Sequence, residues 1–411
     1  MCRRVAVLRR RLASLAAVLL LLVGCGEASQ LAIEVRDADV RVDEPAVADA
    51  RSFEPAQPLD AGVWLDVGFA DAVAAARDAT PELDGGADAL DIGTLASDAG
   101  SASGIGARCF SDIFDPAARG PNYDQFTPEV GSHCKGTNHQ DIVGVERVVF
   151  LGDSVTVGTP PTNHDDYYRT KLADALAARF GLEPASSAWK RSSVLDGQAM
   201  RRESGAFASC AKWGARTDDL LRDNSQIGDC FPEAERTKRT LVIMTIGGND
   251  IASITKMGPA GVPLPEIRAK TEAFVELLSA AVAWLKDPAN FPNGSYVVFG
   301  NMFEFTDGTG DVGSCPAASV AGFDEAWSNP RDLEDLVIWA NEQYMRIAVD
   351  TGSDLVWMLE HFCGHGYHHD DPSNRCYRGP AAERWFDVSC IHPNPTGHGV
   401  LAEMFMSVVE E

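Results

Sequence analysis

The chain has 411 residues and is strongly acidic, with 60 Asp and Glu against 35 Lys and Arg and a formal net charge of −25. Such a balance repels phosphate backbones, and no basic patch with interleaved aromatics occurs, so nucleic acid is not an expected partner. Beyond an unusual amino-terminal region, residues 105–411 are enough for one large domain with a full hydrophobic core.

The first 24 residues have the form of an export signal. Arginines cluster within the first eleven positions, and the 12-residue apolar run Leu12–Val23 follows them. Such a run suits a signal peptide and is too short to span a bilayer. It ends in Leu22-Val23-Gly24-Cys25, which resembles the lipobox of bacterial lipoproteins and implies cleavage before Cys25 and acylation of its sulfur. The alternatives are a non-lipidated signal or, from Arg3-Arg4, a twin-arginine signal.

Residues 25–104 differ in composition from both flanks. Between positions 26 and 103 the chain carries 17 acidic residues, four arginines and no lysine, and its apolar residues follow no sustained period. Such a segment buries too little apolar surface to offset the entropy of ordering it. We therefore expect an acidic, disordered tether; a small acidic domain is the alternative.

Eight cysteines remain once Cys2 in the signal and Cys25 at the anchor are set aside. An even number of cysteines in an exported chain predicts disulfide bonds, and the absence of a C-x-x-C pair argues against a cysteine metal site. Many connectivities are open. Our first expectation pairs the sequence neighbours Cys109–Cys134, Cys210–Cys230 and Cys363–Cys376, which leaves Cys315–Cys390.

Strands and helices alternate through the remainder of the chain. Short apolar runs predict buried strands at 146–151, 240–246, 295–299 and 354–359, and helical periodicity predicts helices at 165–180, 266–285, 333–349 and 396–409. Thr217 and the two aspartates after it are suited to capping a further short helix through Leu221. Alternation of this kind predicts a parallel sheet joined by right-handed crossovers, an α/β fold.

Polar motifs follow two of the predicted strands and precede the last predicted helix. Gly-Asp-Ser occupies 152–154, Gly-Gly-Asn-Asp occupies 247–250 and His-Pro-Asn occupies 392–394, while Gly214 stands in a turn between the first two. Ligands bind at the carboxyl ends of the strands in open α/β sheets. In this order the four blocks resemble those of the SGNH (GDSL-type) hydrolase family, over roughly residues 145–411. The resemblance implies a three-layer α/β/α, flavodoxin-like fold with a parallel central sheet.

The resemblance also implies residue roles. Ser154 corresponds to the nucleophile and His392 to the base that takes its proton. The backbone N–H groups of Ser154 and Gly214 and the side-chain amide of Asn249 correspond to the oxyanion donors. Elementary chemistry supports these roles, because glycine places no side chain over its N–H and an amide donates without carrying a charge. Asp153 and Asp250 match positions that look structural.

One position departs from the family pattern. An aspartate three residues before the histidine would orient it, but Ser389 stands there, and the nearest acid is Asp387. Some group must fix the imidazole tautomer and stabilise the imidazolium. We predict that Asp387 does so if the loop bulges; a backbone carbonyl near Ser389 is the alternative, which would leave a Ser154–His392 dyad.

Two other segments have residues that ligate metals elsewhere. His361, His365, His368, His369, Asp370 and Asp371 lie within eleven positions, and Asp307 and Asp311 flank a glycine-bearing stretch. Glycines break the helix that would align the histidines, and the aspartates lack the spacing of a calcium loop. We therefore expect a loop at the rim of the active site, no metal and no cofactor.

The sequence thus predicts an exported, lipid-anchored serine esterase of the bacterial cell envelope, facing the periplasm or the exterior. The substrate would be a small-molecule, polysaccharide or lipid ester, and the lipid on Cys25 would attach the protein to a membrane. The alternative, suggested by the displaced aspartate, is a lipoprotein that keeps the fold and binds a ligand without catalysis.

Overall fold

The computed structural model describes residues 104–111, 120–221, 225–321, 323 and 325–411. The signal peptide, Cys25 and the tether up to residue 103 lie outside these residues, so those expectations stay predictions. Within the described part of the chain, no helix is both long and apolar enough to cross a membrane.

The sheet contains six strands, β1 and β4–β8, and a separate antiparallel pair is formed by β2 and β3. The strands are β1 Arg147–Gly152, β2 Ser192–Ser193, β3 Gln198–Ala199, β4 Glu203–Ser204, β5 Phe207–Ser209, β6 Thr240–Thr245, β7 Ser295–Gly300 and β8 Asp354–Val356. The order across the sheet is β4-β5-β1-β6-β7-β8. All neighbours pair in parallel except β4 and β5, which form an antiparallel edge.

The described residues contain helices of four or five residues and helices of ten residues or more. They are α1 Ile105–Cys109, α2 Ser154–Val157, α3 Tyr168–Phe180, α4 Ser187–Lys190, α5 Gln226–Cys230, α6 Gly248–Met257, α7 Leu264–Lys286, α8 Ala318–Ala321, α9 Pro330–Thr351, α10 Met358–Phe362 and α11 Pro395–Glu410. Single 3-10 turns occur at Tyr123–Phe126, Thr217–Leu220, Glu233–Glu235 and Val312–Ser314.

The central strands bury both faces, which explains their continuous apolar sequence. Successive side chains point to opposite faces, so Val149 packs in the cluster that includes α7 and α9, whereas Val148 packs in the cluster that includes α3 and α11. Every residue of β1 and β6 is buried. The predicted three-layer α/β/α arrangement is therefore confirmed.

Two predicted elements are corrected, and some observed elements, including helix α6, were not predicted. The strand expected at 354–359 ends at Val356, and α10 begins at Met358. The segment through Leu221 forms a 3-10 turn at Thr217–Leu220. Strand β5 was not predicted, because three residues are too short a pattern to recognise; its pairing with β1 places it in the sheet.

The four expected disulfide bonds, Cys109–Cys134, Cys210–Cys230, Cys315–Cys390 and Cys363–Cys376, are all present. The Cys315–Cys390 bond joins the segment after β7 to the loop before α11. Cys390 has a positive φ of 74°, a backbone conformation that residues other than glycine seldom adopt. The bond therefore helps to hold the loop that carries His392.

Candidate active site

Ser154 is placed by the sharp turn at the end of β1. Gly152 has φ of 122°, and a Cβ there would lie 2.0 Å from the Thr245 carbonyl oxygen, so only glycine fits this crossing. The Asp153 side chain then caps α2 by accepting a hydrogen bond from the Val155 N–H at 3.0 Å. Ser154 is the first residue of α2, so its N–H has no acceptor within the helix.

His392 lies directly against this serine. The distance between His392 Nε2 and Ser154 Oγ is 2.8 Å, although the residues are 238 positions apart. Asn394 caps α11 by accepting a hydrogen bond from the Gly397 N–H at 2.9 Å, so the histidine stands on the turn just before that helix. The predicted nucleophile and base are therefore brought within hydrogen-bond reach, the geometry needed for proton transfer.

Ser389 lies between His392 and Asp387. Its Oγ is 2.8 Å from His392 Nδ1 and 2.5 Å from Asp387 Oδ1. The His392 N–H also donates to Ser389 Oγ, at 3.2 Å. Neither arrangement expected from the sequence is found, because the direct neighbour of Nδ1 is a hydroxyl and not the carboxylate or a backbone carbonyl. The contact of Asp387 with His392 is corrected to one made through Ser389.

The hydrogen-bonding capacity of Ser389 determines the tautomer of His392. An ionised carboxylate only accepts hydrogen bonds, so the single hydroxyl proton of Ser389 points to Asp387. The lone pairs of Ser389 Oγ then face Nδ1, which must carry the ring proton. Nε2 is left as an acceptor for the Ser154 hydroxyl proton. Ser389 thus holds the imidazole in the form that a general base requires.

Charge and burial act in opposite directions on His392. Burial lowers the pKa of its imidazole below the ordinary value, and the nearby negative charge of Asp387 raises it. The net direction is downward, so the ring is neutral at neutral pH and able to accept a proton.

Asn249 and Gly214 lie on a loop network beside the serine. The Lys212 N–H donates to the Gly152 carbonyl at 3.0 Å, and Asn249 Nδ2 donates to the Ala215 carbonyl at 2.9 Å. Each end of the Gly214 turn is thereby fastened, one to β1 and the other to α6. An amide nitrogen has two hydrogens, so Asn249 keeps a second N–H for another acceptor.

The backbone conformation at position 214 gives a further reason for glycine there. A Cβ built there meets no atom within 4 Å, so space is not what requires glycine. Gly214 has φ of 76°, a conformation that disfavours other residues. The residue is required by the turn that directs its N–H, and its role as an oxyanion donor stays a prediction.

The two neighbouring aspartates hold backbone in place. Asp250 accepts hydrogen bonds from the Thr217 N–H at 3.1 Å and from its hydroxyl at 3.2 Å, and Asp153 accepts one from the Thr245 hydroxyl at 3.2 Å. Burial raises the pKa of each carboxyl to about 7. These contacts fit the structural assignment made from the motifs.

The histidine-rich segment folds as a loop beside the site. His365 stacks on Trp385, with ring centroids 3.4 Å apart, and burial lowers its pKa to about 4. The Asp307 carboxylate accepts hydrogen bonds from backbone N–H groups, those of Gly364, Gly366 and His368. Across the described ranges, no group of three or more His, Cys, Asp or Glu side chains is arranged to hold a metal ion.

A three-layer α/β/α fold with a hydrogen-bonded serine and histidine at the carboxyl edge of its sheet defines a hydrolase-type site. The sequence profile of the GDSL-like lipase/acylhydrolase family matches residues 150–400. The chain belongs to that family, and the resemblance inferred from the four motifs is confirmed. A comparison with curated proteins finds no match.

Matches to solved structures include three proteins. A gut microbial diltiazem-metabolizing enzyme is 15% identical with a TM-score of 0.41, over 66% of this chain and 49% of that one. This chain therefore spans about half of that protein's length. A lipolytic G-D-S-L family protein from Veillonella parvula is 13% identical with a TM-score of 0.34, over 64% of this chain and 98% of that one. A two-domain esterase active on acetylated mannans is 13% identical with a TM-score of 0.34, over 65% and 50%.

Proposed function

We propose that this protein is an exported, lipid-anchored serine esterase that hydrolyses carboxylic esters through an acyl-enzyme on Ser154. The observation that carries the proposal is the 2.8 Å contact between Ser154 Oγ and His392 Nε2, with Nδ1 of the same ring backed by Ser389 and Asp387. Serine is a weak nucleophile until a base takes its proton, and this arrangement supplies that base.

The reaction follows from these positions. Ser154 Oγ attacks the acyl carbon while His392 Nε2 takes its proton, and the carbonyl oxygen of the ester becomes an oxyanion. The N–H groups of Ser154, Gly214 and Asn249 donate to that oxyanion. The imidazolium then gives its proton to the departing alcohol, leaving an acyl group on Ser154. A water molecule, deprotonated by His392, then attacks the acyl carbon, and the imidazolium returns that proton to Ser154 Oγ as the acid leaves. The scheme requires no cofactor.

A fluorophosphonate probe tests this proposal directly. It reacts only with a serine whose proton is removed by a neighbouring base, so we expect stoichiometric labelling of wild-type protein at Ser154 and none of the Ser154→Ala variant. Mass spectrometry of the labelled peptide identifies the site. An unlabelled, folded wild-type protein that nevertheless binds a ligand would instead favour the non-catalytic binding lipoprotein.

The lipid anchor is a further part of the proposal, supported by the lipobox-like sequence before Cys25. We expect the Cys25→Ala variant to leave the membrane fraction and to change its processing, because the acylated sulfur is absent. Cell fractionation and immunoblotting measure both effects. Cys2→Ala is the matched control, since it removes a cysteine from the same region outside the lipobox. An unchanged membrane fraction for Cys25→Ala would contradict the anchor.

A further inference from the structure

A cavity of about 340 Å³ opens beside Ser154 and His392. It lies over the carboxyl ends of β6–β8, between α6, α9 and the segment that contains α1. Its apolar wall includes Ile105, Phe110, Met302, Phe323, Ile338 and Met358. The cavity has a size typical of small-molecule sites and reaches the reacting serine.

The buried polar groups in the cavity wall bind one another. The Tyr123 hydroxyl donates to the Glu360 carboxylate at 2.7 Å, and the Asn301 amide donates to the other carboxylate oxygen at 2.9 Å. Because these groups are mutually satisfied, they do not require a polar ligand. Burial raises the pKa of the Glu360 carboxyl, which further reduces the charge on this wall.

The other acidic side chains of the wall also have partners. Asp153 caps α2, and Glu334 lies 3.8 Å from the Arg375 guanidinium, a charged pair in the wall. Glu304 accepts hydrogen bonds from the N–H groups of Thr306 and Gly308 at 2.5 and 2.6 Å. Asp124 accepts one from the Ile105 N–H at 3.1 Å. The surface that the cavity offers to a ligand is therefore mainly hydrocarbon. A sugar or another polar group bound there would lack hydrogen-bond partners.

We propose that this cavity binds an apolar chain of the ester substrate, an inference that rests on the proposed esterase function. An apolar cavity of about 150 Å³ holds one benzene, which has six carbons, so a cavity of about 340 Å³ accommodates roughly ten carbons. Each methylene transferred from water contributes about fourfold in binding. Esters with a chain of about eight to ten carbons are thus the favoured class.

Two substrate series test the proposal and identify which side of the ester enters the cavity. One is p-nitrophenyl esters from acetate to palmitate, and the other is acetates of alcohols of the same lengths. We expect kcat/KM in one series to rise at least about tenfold from the shortest member to a maximum near eight to ten carbons and then to fall. Hydrolysis that is flat or falls with length in both series would overturn the proposal and leave the esterase function intact.

A matched pair of substitutions locates the effect. Ile338 lies on α9 in the cavity wall. Ile338→Trp should shorten the cavity and lower, at least about tenfold, the ratio of kcat/KM for the ten-carbon ester to kcat/KM for the two-carbon ester. Ile338→Ala should enlarge the cavity and move the maximum of kcat/KM to longer chains. Leu277→Trp is the control, because Leu277 is 38% exposed on α7 and outside the cavity wall. Melting temperatures check folding, and equal profiles for Ile338→Trp and Leu277→Trp would contradict the proposal.

Binding separates this inference from catalysis. Calorimetry should detect binding of decanoate to the Ser154→Ala protein. A second substitution, Ile338→Trp, should weaken that binding, whereas Leu277→Trp in the same background should leave it unchanged. If decanoate binds in this pattern while no ester is hydrolysed by wild-type protein, the cavity assignment holds and the proposed function fails. If short acetate esters are hydrolysed, kcat/KM rises with chain length in neither series and decanoate does not bind, the cavity assignment fails alone.

Discussion

Ser154→Ala and His392→Ala should each lower kcat by roughly six orders of magnitude, and the double variant should lose little more. The reason is the 2.8 Å contact: Ser154 has no base without His392, and His392 has no nucleophile to deprotonate without Ser154. Purified proteins assayed with a p-nitrophenyl ester, with wild-type active sites counted by a fluorophosphonate, provide the measurement. Ser187→Ala, at an exposed position of helix α4, is the control for a serine removed elsewhere.

The remaining activity of these variants is informative. The oxyanion donors are untouched in these variants, so some acceleration over the uncatalysed reaction should persist. As a single substitution in the wild-type protein, Asn249→Ala should lower kcat by about 10²–10³-fold, because one oxyanion donor is lost. Losses that multiply in the Ser154–His392 double variant would mean that the two residues act independently. Undiminished hydrolysis by Ser154→Ala, with contaminating esterases excluded, would end the assignment.

Asp387→Asn should lower kcat by up to about 10⁴-fold, as when a catalytic triad loses its acid, even though the Asp387 side chain reaches the His392 ring through Ser389. An asparagine amide can donate to Ser389 Oγ, which frees the serine proton to point at His392 Nδ1. That reversal places the ring proton on Nε2, where it opposes proton transfer from Ser154. Ser389→Ala should lower kcat by about 10²-fold or more, because Nδ1 of His392 loses its hydrogen bond to the Ser389 hydroxyl.

Rescue distinguishes this positioning role from a loss of structure. The double variant Asp387→Asn with Ser389→Asp places a carboxylate three residues before His392, where the family has one, and should regain most of the activity lost by Asp387→Asn. A double variant as inactive as Asp387→Asn would show that the loop, and not the hydrogen-bonded chain, was damaged.

The pH profile gives a second readout for the same chain of groups. The base must be neutral, so the acid limb of kcat/KM follows the pKa of His392. Burial lowers that pKa, and the charge of Asp387 raises it. Removing the charge in Asp387→Asn should therefore move the acid limb to lower pH. An acid limb that stays in place would mean that Asp387 does not act on the imidazole.

Much of the fold followed from local patterns. The runs that became β1 and β6 are apolar throughout because both of their faces are buried, and such runs are visible in the sequence without any knowledge of what covers them. The long helices α7, α9 and α11 differ from the predicted ranges by three residues or fewer at each end, because their periodicity extends over many residues. The four disulfide bonds followed because most of their partners are near neighbours in the sequence.

The sequence by itself also determined the residue types of the site, because the motifs with Ser154, Asn249 and His392 each follow a predicted strand or precede a predicted helix. It did not determine that Ser389 stands between Asp387 and His392. That contact depends on how a loop joined to Cys315 turns, and hydrogen-bond geometry of this kind is fixed by distant parts of the chain. The cavity beside Ser154 likewise exists only where α1, α6 and α9 meet, so only the tertiary structure decided which chemistry borders the serine.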